Sequence, residues 1–131
     1  MNKKDFLNRL LAALNGFCIH PLLLGEVLEE LKKSGQESAF LKVLLARLKF
    51  LAENGIYATR HKEFEPLEDS IYSMHLSGNG FNIRILYGFL PDQTPALLLA
   101  FYERGGHAAT DYTGKCGIAA ERLRDLEEER E

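Results

Sequence analysis

The chain has 131 residues, a length that favours a single domain, and its 46% hydrophobic and 27% charged residues exclude a disordered protein. The formal net charge is −3, and residues 120–131 carry all of it, with six acidic residues and three arginines. Proteins that bind nucleic acids are usually basic where they contact phosphates, so the neutral remainder does not favour that class.

No stretch reaches the roughly 18 apolar residues of a membrane span, and polar residues interrupt the apolar N-terminal segment. We therefore expect a cytoplasmic protein without a membrane partner.

Residues 1–55 are predicted to be mostly helical, because their apolar residues recur at helical spacing. The three segments are 3–14, the stretch after Pro21, and 39–53. Asn15-Gly16 and Asn54-Gly55 are typical helix ends. Residues 17–20, "FCIH", are either a very short strand or a link.

After residue 55 the period changes from 3.6 to 2, which predicts strands over 70–76, 81–90 and 96–104. The segment "SGNG" and the two prolines 91 and 95 mark the turns between them. A last amphipathic helix is expected over 117–129. Helices followed by an antiparallel meander and a closing helix indicate an α+β fold, in which the sheet buries one face against the helices.

Matching the apolar faces predicts the register of the sheet. If Leu76 lies opposite Phe81, and if the two prolines face each other across the second turn, the polar residues share the other face. In this register Arg84 pairs with Tyr102. Asn82 lies between His75 on one neighbouring strand and Arg104 on the other. One end of that face then gathers five side chains beside a loop that contains His107 and Tyr112: His75, Asn82, Arg84, Tyr102 and Arg104.

These residue types suit phosphodiester chemistry on single-stranded RNA. Two arginines supply fixed positive charge, a histidine transfers protons near neutral pH, and a tyrosine stacks on a base or donates a proton. No spacing indicates a metal site, a Gly-rich phosphate loop or a bound cofactor. The alternative is an ordinary solvent-exposed sheet face, on which polar side chains and Arg–Tyr packing are common.

Over roughly residues 40–127 the chain resembles the RelE/HigB superfamily of type II toxins, in its phage-derived HigB-like branch. The resemblance rests on a long helix ending in "LAENG", then "EPLEDSIYSMHL", "FNIRILYGF" and "ALLLAFYERGG", and a terminal helix. It implies a small antiparallel sheet packed with helices. Arg84 matches the arginine of the family's central strand, and Arg104, His107 and Tyr112 fall where the family carries basic or aromatic active-site residues.

The resemblance implies the toxin component of a toxin–antitoxin system, a metal-independent, ribosome-dependent mRNA endonuclease. Its partners would be a cognate antitoxin, the ribosome with its mRNA and a possible second copy of the chain. Arg84 and Arg104 would hold the scissile phosphate, His75 or His107 would transfer protons, and Tyr112 or Tyr102 would stack or act as the acid, with Asn82 also contacting RNA.

Two alternatives remain open. His75 stands where relatives carry arginine, and "ERGGHAATDY" replaces a Lys/Thr-rich stretch. Together with the neutral body, these departures also fit a toxin-fold protein that has lost catalysis and acts by binding another protein. A gyrase inhibitor of the related ParE branch is the other alternative, and it would need no acid–base residues.

Overall fold

The computed structural model describes residues 2–32, 35–103 and 112–129, and it confirms the α+β fold. Its helices are α1 (Lys3–Ala13), α2 (Leu23–Lys32), α3 (Glu37–Asn54) and α4 (Tyr112–Glu129), with a short 3-10 helix at Gly55–Arg60. Its strands are β1 (Cys18–Ile19), β2 (Phe64–Pro66), β3 (Tyr72–Gly78), β4 (Phe81–Phe89) and β5 (Pro95–Tyr102). None of the described helices is both long and apolar enough to cross a bilayer.

Helices α2 and α3 pack on one face of the sheet, and α1 packs on α3. Asn2 caps α1, because its side-chain oxygen accepts a hydrogen bond from the Asp5 backbone N–H at 2.8 Å. The apolar stripes of all three helices pack with the inward residues of β3 and β4 in one core cluster. Fully buried Phe40 and Tyr87 are among its largest side chains. The inward faces predicted for β3 and β4 are thus confirmed.

The sheet has five strands in the order β1-β5-β4-β3-β2. The "FCIH" segment supplies β1, which runs parallel to β5 through Cys18 opposite Ala96 and Ile19 opposite Leu97. The other neighbours are antiparallel. The predicted adjacency of the three central strands is thus confirmed, and two short strands extend the sheet at its edges.

The predicted register of the first hairpin is wrong by two residues. Gly78, rather than Leu76, lies opposite Phe81, so that a two-residue turn of Asn79 and Gly80 joins the strands. Gly80 has a φ of +92°, a conformation that side chains rarely adopt, and glycine permits this tight turn. The two-residue slip keeps each side chain on its predicted face, but it places His75 directly opposite Arg84.

The register of the second hairpin is also wrong, and here the faces change. Tyr87 pairs with Leu97 but Leu86 pairs with Leu99, so Leu98 is an extra residue in β5. Such a bulge reverses which face the rest of the strand presents. Phe101 therefore lies opposite Arg84 rather than beneath the N-terminal helices.

The second face of the sheet is not open to solvent, which corrects the prediction that only one face is buried. Helix α4 begins at Tyr112 rather than near Gly117, and its apolar residues pack on this face. The helix contributes Cys116, Ala119, Leu123 and Leu126 to a second core cluster. The other members of this cluster come from the strands and the residues next to them: Ile71, Leu86, Leu90, Ala96, Leu98, Leu99 and Phe101. The bulge makes this second core possible, because it turns Leu99 and Phe101 towards α4.

A pair of charged side chains holds the outer edge of β5 at the bulge. Glu26 of α2 accepts a hydrogen bond from the Ala100 backbone N–H at 3.1 Å, and Arg122 of α4 donates to the Leu98 carbonyl oxygen at 2.9 Å. The two side chains also pair with each other at 2.9 Å. They take the place of a neighbouring strand where the two-residue β1 has ended, and they satisfy edge groups that would otherwise be unpaired.

Replacement of Arg122 by alanine is expected to destabilise the fold by about 2 kcal/mol, because the Leu98 carbonyl loses a charge-assisted hydrogen bond. Urea denaturation at pH 7 measures the change. Arg124→Ala is the matched control, because Arg124 is exposed on the same helix. Equal denaturation midpoints for the two variants would show that the contacts of Arg122 contribute no stability.

Candidate functional site

A polar cluster occupies one end of the sheet, on the face that α4 covers. His75 of β3 and Arg84 of β4 are direct cross-strand partners. Asn82 lies two residues before Arg84 on the same face of β4, and its backbone oxygen accepts a hydrogen bond from the Glu103 N–H at 2.9 Å. Tyr112, the first residue of α4, reaches the same place. We call these five residues the polar cluster.

Arg84 is held by two neighbours within this cluster. Its Nη1 donates to the side-chain oxygen of Asn82 at 2.6 Å, and its Nη2 forms an ion pair with Oε2 of Glu103. The Arg84 side chain is 11% exposed and that of Glu103 is 2% exposed. Both charges are thus largely shielded from water, and a buried charge requires an oppositely charged partner.

The remaining polar groups of Glu103 are also bonded. Its Oε1 accepts a hydrogen bond from the Tyr112 hydroxyl at 2.6 Å, and its backbone oxygen accepts from Nδ2 of Asn82 at 2.9 Å. The ring of Tyr112 meets that of Phe101 edge-on at 5.7 Å. Burial, followed by the bond to Glu103, raises the pKa of Tyr112 well above its ordinary value, so the hydroxyl keeps its proton.

His75 lies between a positive and a negative group. Arg84 is its partner on one side, and Oε1 of Glu65 on β2 lies 3.9 Å from its Nε2 on the other. Burial lowers the pKa of His75 below 6.5, and Arg84 lowers it further, while Glu65, Glu63 and Glu103 act in the opposite direction. The ring is therefore uncharged at neutral pH and able to accept a proton.

Two buried nitrogen atoms of the cluster are unsatisfied within the described part of the chain. Neither Nε of Arg84 nor Nε2 of His75 has a hydrogen-bond partner there. The hydroxyl of Ser73, fully buried on the same face of β3, also has no partner within these ranges. Buried polar groups usually have partners, so an unpaired guanidinium donor beside an uncharged histidine is a feature that requires an explanation.

The structure brings together His75, Asn82, Arg84 and Tyr112 of the residues predicted from the sequence. Tyr102 is not among them, because it lies opposite Ile83 and so on the other face. Its predicted pairing with Arg84 is wrong, because the residues of β5 after the bulge point to the opposite face from the predicted one. Arg104 and His107 fall in residues 104–111, outside the described residues, and their predicted roles stay predictions.

Sequence reasoning missed Glu103. The unbulged register placed Arg104, a second positive charge, opposite Asn82, whereas the observed partner of Asn82 is the acidic residue before it. The segment "FYERGG" contains both residues, and the position of the bulge decides which of them meets Arg84. An arginine pointing from the middle of an otherwise apolar strand was the one available indication that a buried acid lay nearby.

The arrangement provides a cation, an uncharged base and a protonated hydroxyl at one place. No group of three or more residues able to hold a metal occurs in the ranges that the structure describes. The sequence matches no family model, and no curated protein is significantly similar to it. Membership of the toxin superfamily therefore stays a prediction made from the sequence segments.

Arg84→Met is expected to destabilise the protein by about 3 kcal/mol, because it leaves the Glu103 carboxylate buried without its cation. Adding Glu103→Gln to this variant should recover a large part of the loss, since neither charge is then buried alone. Urea denaturation of the two single variants and the double variant measures the coupling. A single Arg84→Met change within about 0.5 kcal/mol of wild type would contradict a stabilising ion pair.

The lowered pKa of His75 predicts a pH-dependent stability. The unfolded chain binds a proton on this residue near pH 6.5 and the folded chain binds it only at lower pH, so stability falls as the pH drops below 6.5. His75→Gln should reduce this loss between about pH 6.5 and 5. Denaturation midpoints across this range measure it, with His61→Gln as the control. Parallel curves for wild type and His75→Gln would contradict the prediction.

Proposed function

We propose that this protein is the toxin component of a type II toxin–antitoxin system and cleaves mRNA on the ribosome, in the cytoplasm. The observation that carries the proposal is the cross-strand pair of Arg84 and uncharged His75, with the Tyr112 hydroxyl reaching the same cluster. These groups fit a reaction in which the RNA supplies its own nucleophile.

In the proposed reaction, the ribose 2′-hydroxyl attacks the adjacent phosphorus. The O2′–P bond forms, the P–O5′ bond breaks, and the products are a 2′,3′-cyclic phosphate and a free 5′-hydroxyl. His75 would accept the 2′-hydroxyl proton, and Arg84 would stabilise the charge that develops on the phosphoryl oxygens. Tyr112 keeps its proton at neutral pH and would donate it to the leaving oxygen.

A second candidate function is binding to another protein without catalysis. The observation in its favour is that Glu103 neutralises Arg84 within the fold. In this case the polar cluster stabilises the domain, and its charges do not act on a substrate. The gyrase inhibitor of the ParE branch is one form of this alternative.

Induced expression in a bacterial host tests these candidates. The endonuclease predicts growth arrest with cleavage inside translated messages, mapped by primer extension. His75→Gln should reduce cleavage about a hundredfold or more, as expected for loss of a general base. His61→Gln is the control, since His61 is a half-buried histidine outside the cluster.

Other outcomes distinguish the alternatives. Arrest with double-strand DNA breaks would support a gyrase inhibitor. Absence of arrest, with a protein that still folds and captures the product of a neighbouring gene, would support binding without catalysis. Arrest and cleavage that persist unchanged in His75→Gln would remove the proposed base from the mechanism.

A further inference from the structure

The carboxylate of Glu103 lies where a phosphate would be bound by Arg84. A guanidinium presents its N–H donors in a planar fork, and carboxylates and phosphates fit this fork in the same way. In this structure Nη2 contacts the Glu103 carboxylate and Nη1 contacts Asn82. An anionic substrate that binds Arg84 through the same donors must first displace Glu103.

We propose that Glu103 is a built-in competitor for the anion site of Arg84 and keeps this site closed until a phosphodiester displaces it. The inference rests on the proposed function only in naming RNA as the source of the phosphate. It assigns to Glu103 a regulatory role that is distinct from the proton transfers described above.

The contacts of Glu103 show that its position is built into the fold. Tyr112 donates to the second carboxylate oxygen, and Asn82 exchanges hydrogen bonds with the Glu103 backbone in both directions. The carboxylate is thus held against Arg84 from the sheet and from α4. A competitor fixed in this way loses little entropy when it pairs, so it opposes an incoming anion effectively.

The incomplete bonding of Arg84 argues against a purely structural pair. Buried arginines in structural pairs usually have their donors satisfied. Here Nε is buried and has no partner among the described residues, and Nε2 of the adjacent His75 is in the same state. An anion that replaced the carboxylate and also reached Nε of Arg84 would gain a bond that Glu103 does not make.

Removing the charge of Glu103 tests the proposal directly. Glu103→Gln keeps the size of the side chain and an oxygen that can accept from Tyr112. A like charge beside a bound phosphate is strongly unfavourable, so we expect this variant to bind a fluorescein-labelled, single-stranded RNA of about 12 nucleotides roughly tenfold or more tightly than wild type. Fluorescence anisotropy at fixed salt measures the affinity, and inorganic phosphate should compete more effectively in the variant.

Two control variants separate this effect from a general change of charge. Glu121→Gln removes one negative charge from an exposed position on α4 and should bind RNA as wild type does. The double variant Arg84→Met/Glu103→Gln should lose the gain, because the cation that receives the phosphate is absent. An equal gain in Glu121→Gln, or a gain that survives in the double variant, would overturn the proposal.

Folding of each variant is checked by circular dichroism and urea denaturation. If Glu103→Gln does not fold, Glu103→Asp decides the question, because its shorter side chain keeps the charge but withdraws from Arg84. We expect the Glu103→Asp variant to bind RNA more tightly than wild type but less tightly than expected for Glu103→Gln. A folded Glu103→Gln, or failing that a folded Glu103→Asp, with unchanged affinity for RNA and phosphate would overturn the proposal.

The results distinguish this inference from the proposed function. Tighter binding by Glu103→Gln, in a protein that cleaves no mRNA in cells, would confirm the closed anion site and refute the endonuclease. Cleavage by the wild-type protein, without tighter binding by the folded variant, would confirm the endonuclease and refute the competitor role.

Discussion

One extra residue in β5 determines which side chain meets Arg84. Leu98 has no partner across the strand pair, so every residue after it presents the opposite face from the one that a regular ladder would give. Without this bulge, Tyr102 would share a face with Arg84 and Glu103 would lie on the other side of the sheet. With it, Phe101 and Glu103 turn towards α4. The second core and the polar cluster both depend on this single irregularity.

The bulge is held in turn by groups from both layers of helices. Glu26 comes from α2 on one face and Arg122 from α4 on the other, and they meet at the edge of β5 beside Leu98. Because β1 covers β5 only as far as Leu97, the edge beyond it would otherwise present unpaired backbone groups. The same charged pair therefore satisfies the edge, fixes the bulge and ties α4 to the domain.

Much of the fold followed from sequence periodicity, whereas the geometry of the site did not. The apolar residues of α1, α3 and β4 each recur at the period of one structure, so these elements and their inward faces were predictable. The strand registers were not, because both hairpins keep a good apolar match under a two-residue slip. The bulge could not be recognised in residues 96–101, because both faces of this segment are buried and all of its residues are apolar. No polar residue marks the position after which the side chains point to the opposite face. Glu103 was consequently missed, and α4 was predicted without the core that it covers.

The polar cluster combines two demands that oppose each other. A largely buried arginine requires an anion for the domain to be stable, and in this structure Glu103 supplies one. An arginine that binds substrate must release its anion when the substrate arrives. A site meets both demands when the internal anion is a slightly worse partner than the external one. Among the described residues Nε of Arg84 has no partner, and this donor leaves the difference available because Glu103 does not satisfy it. The ion pair between Arg84 and Glu103 stabilises this end of the sheet. The same ion pair can thus also determine how strongly a phosphate must bind Arg84 in order to displace Glu103.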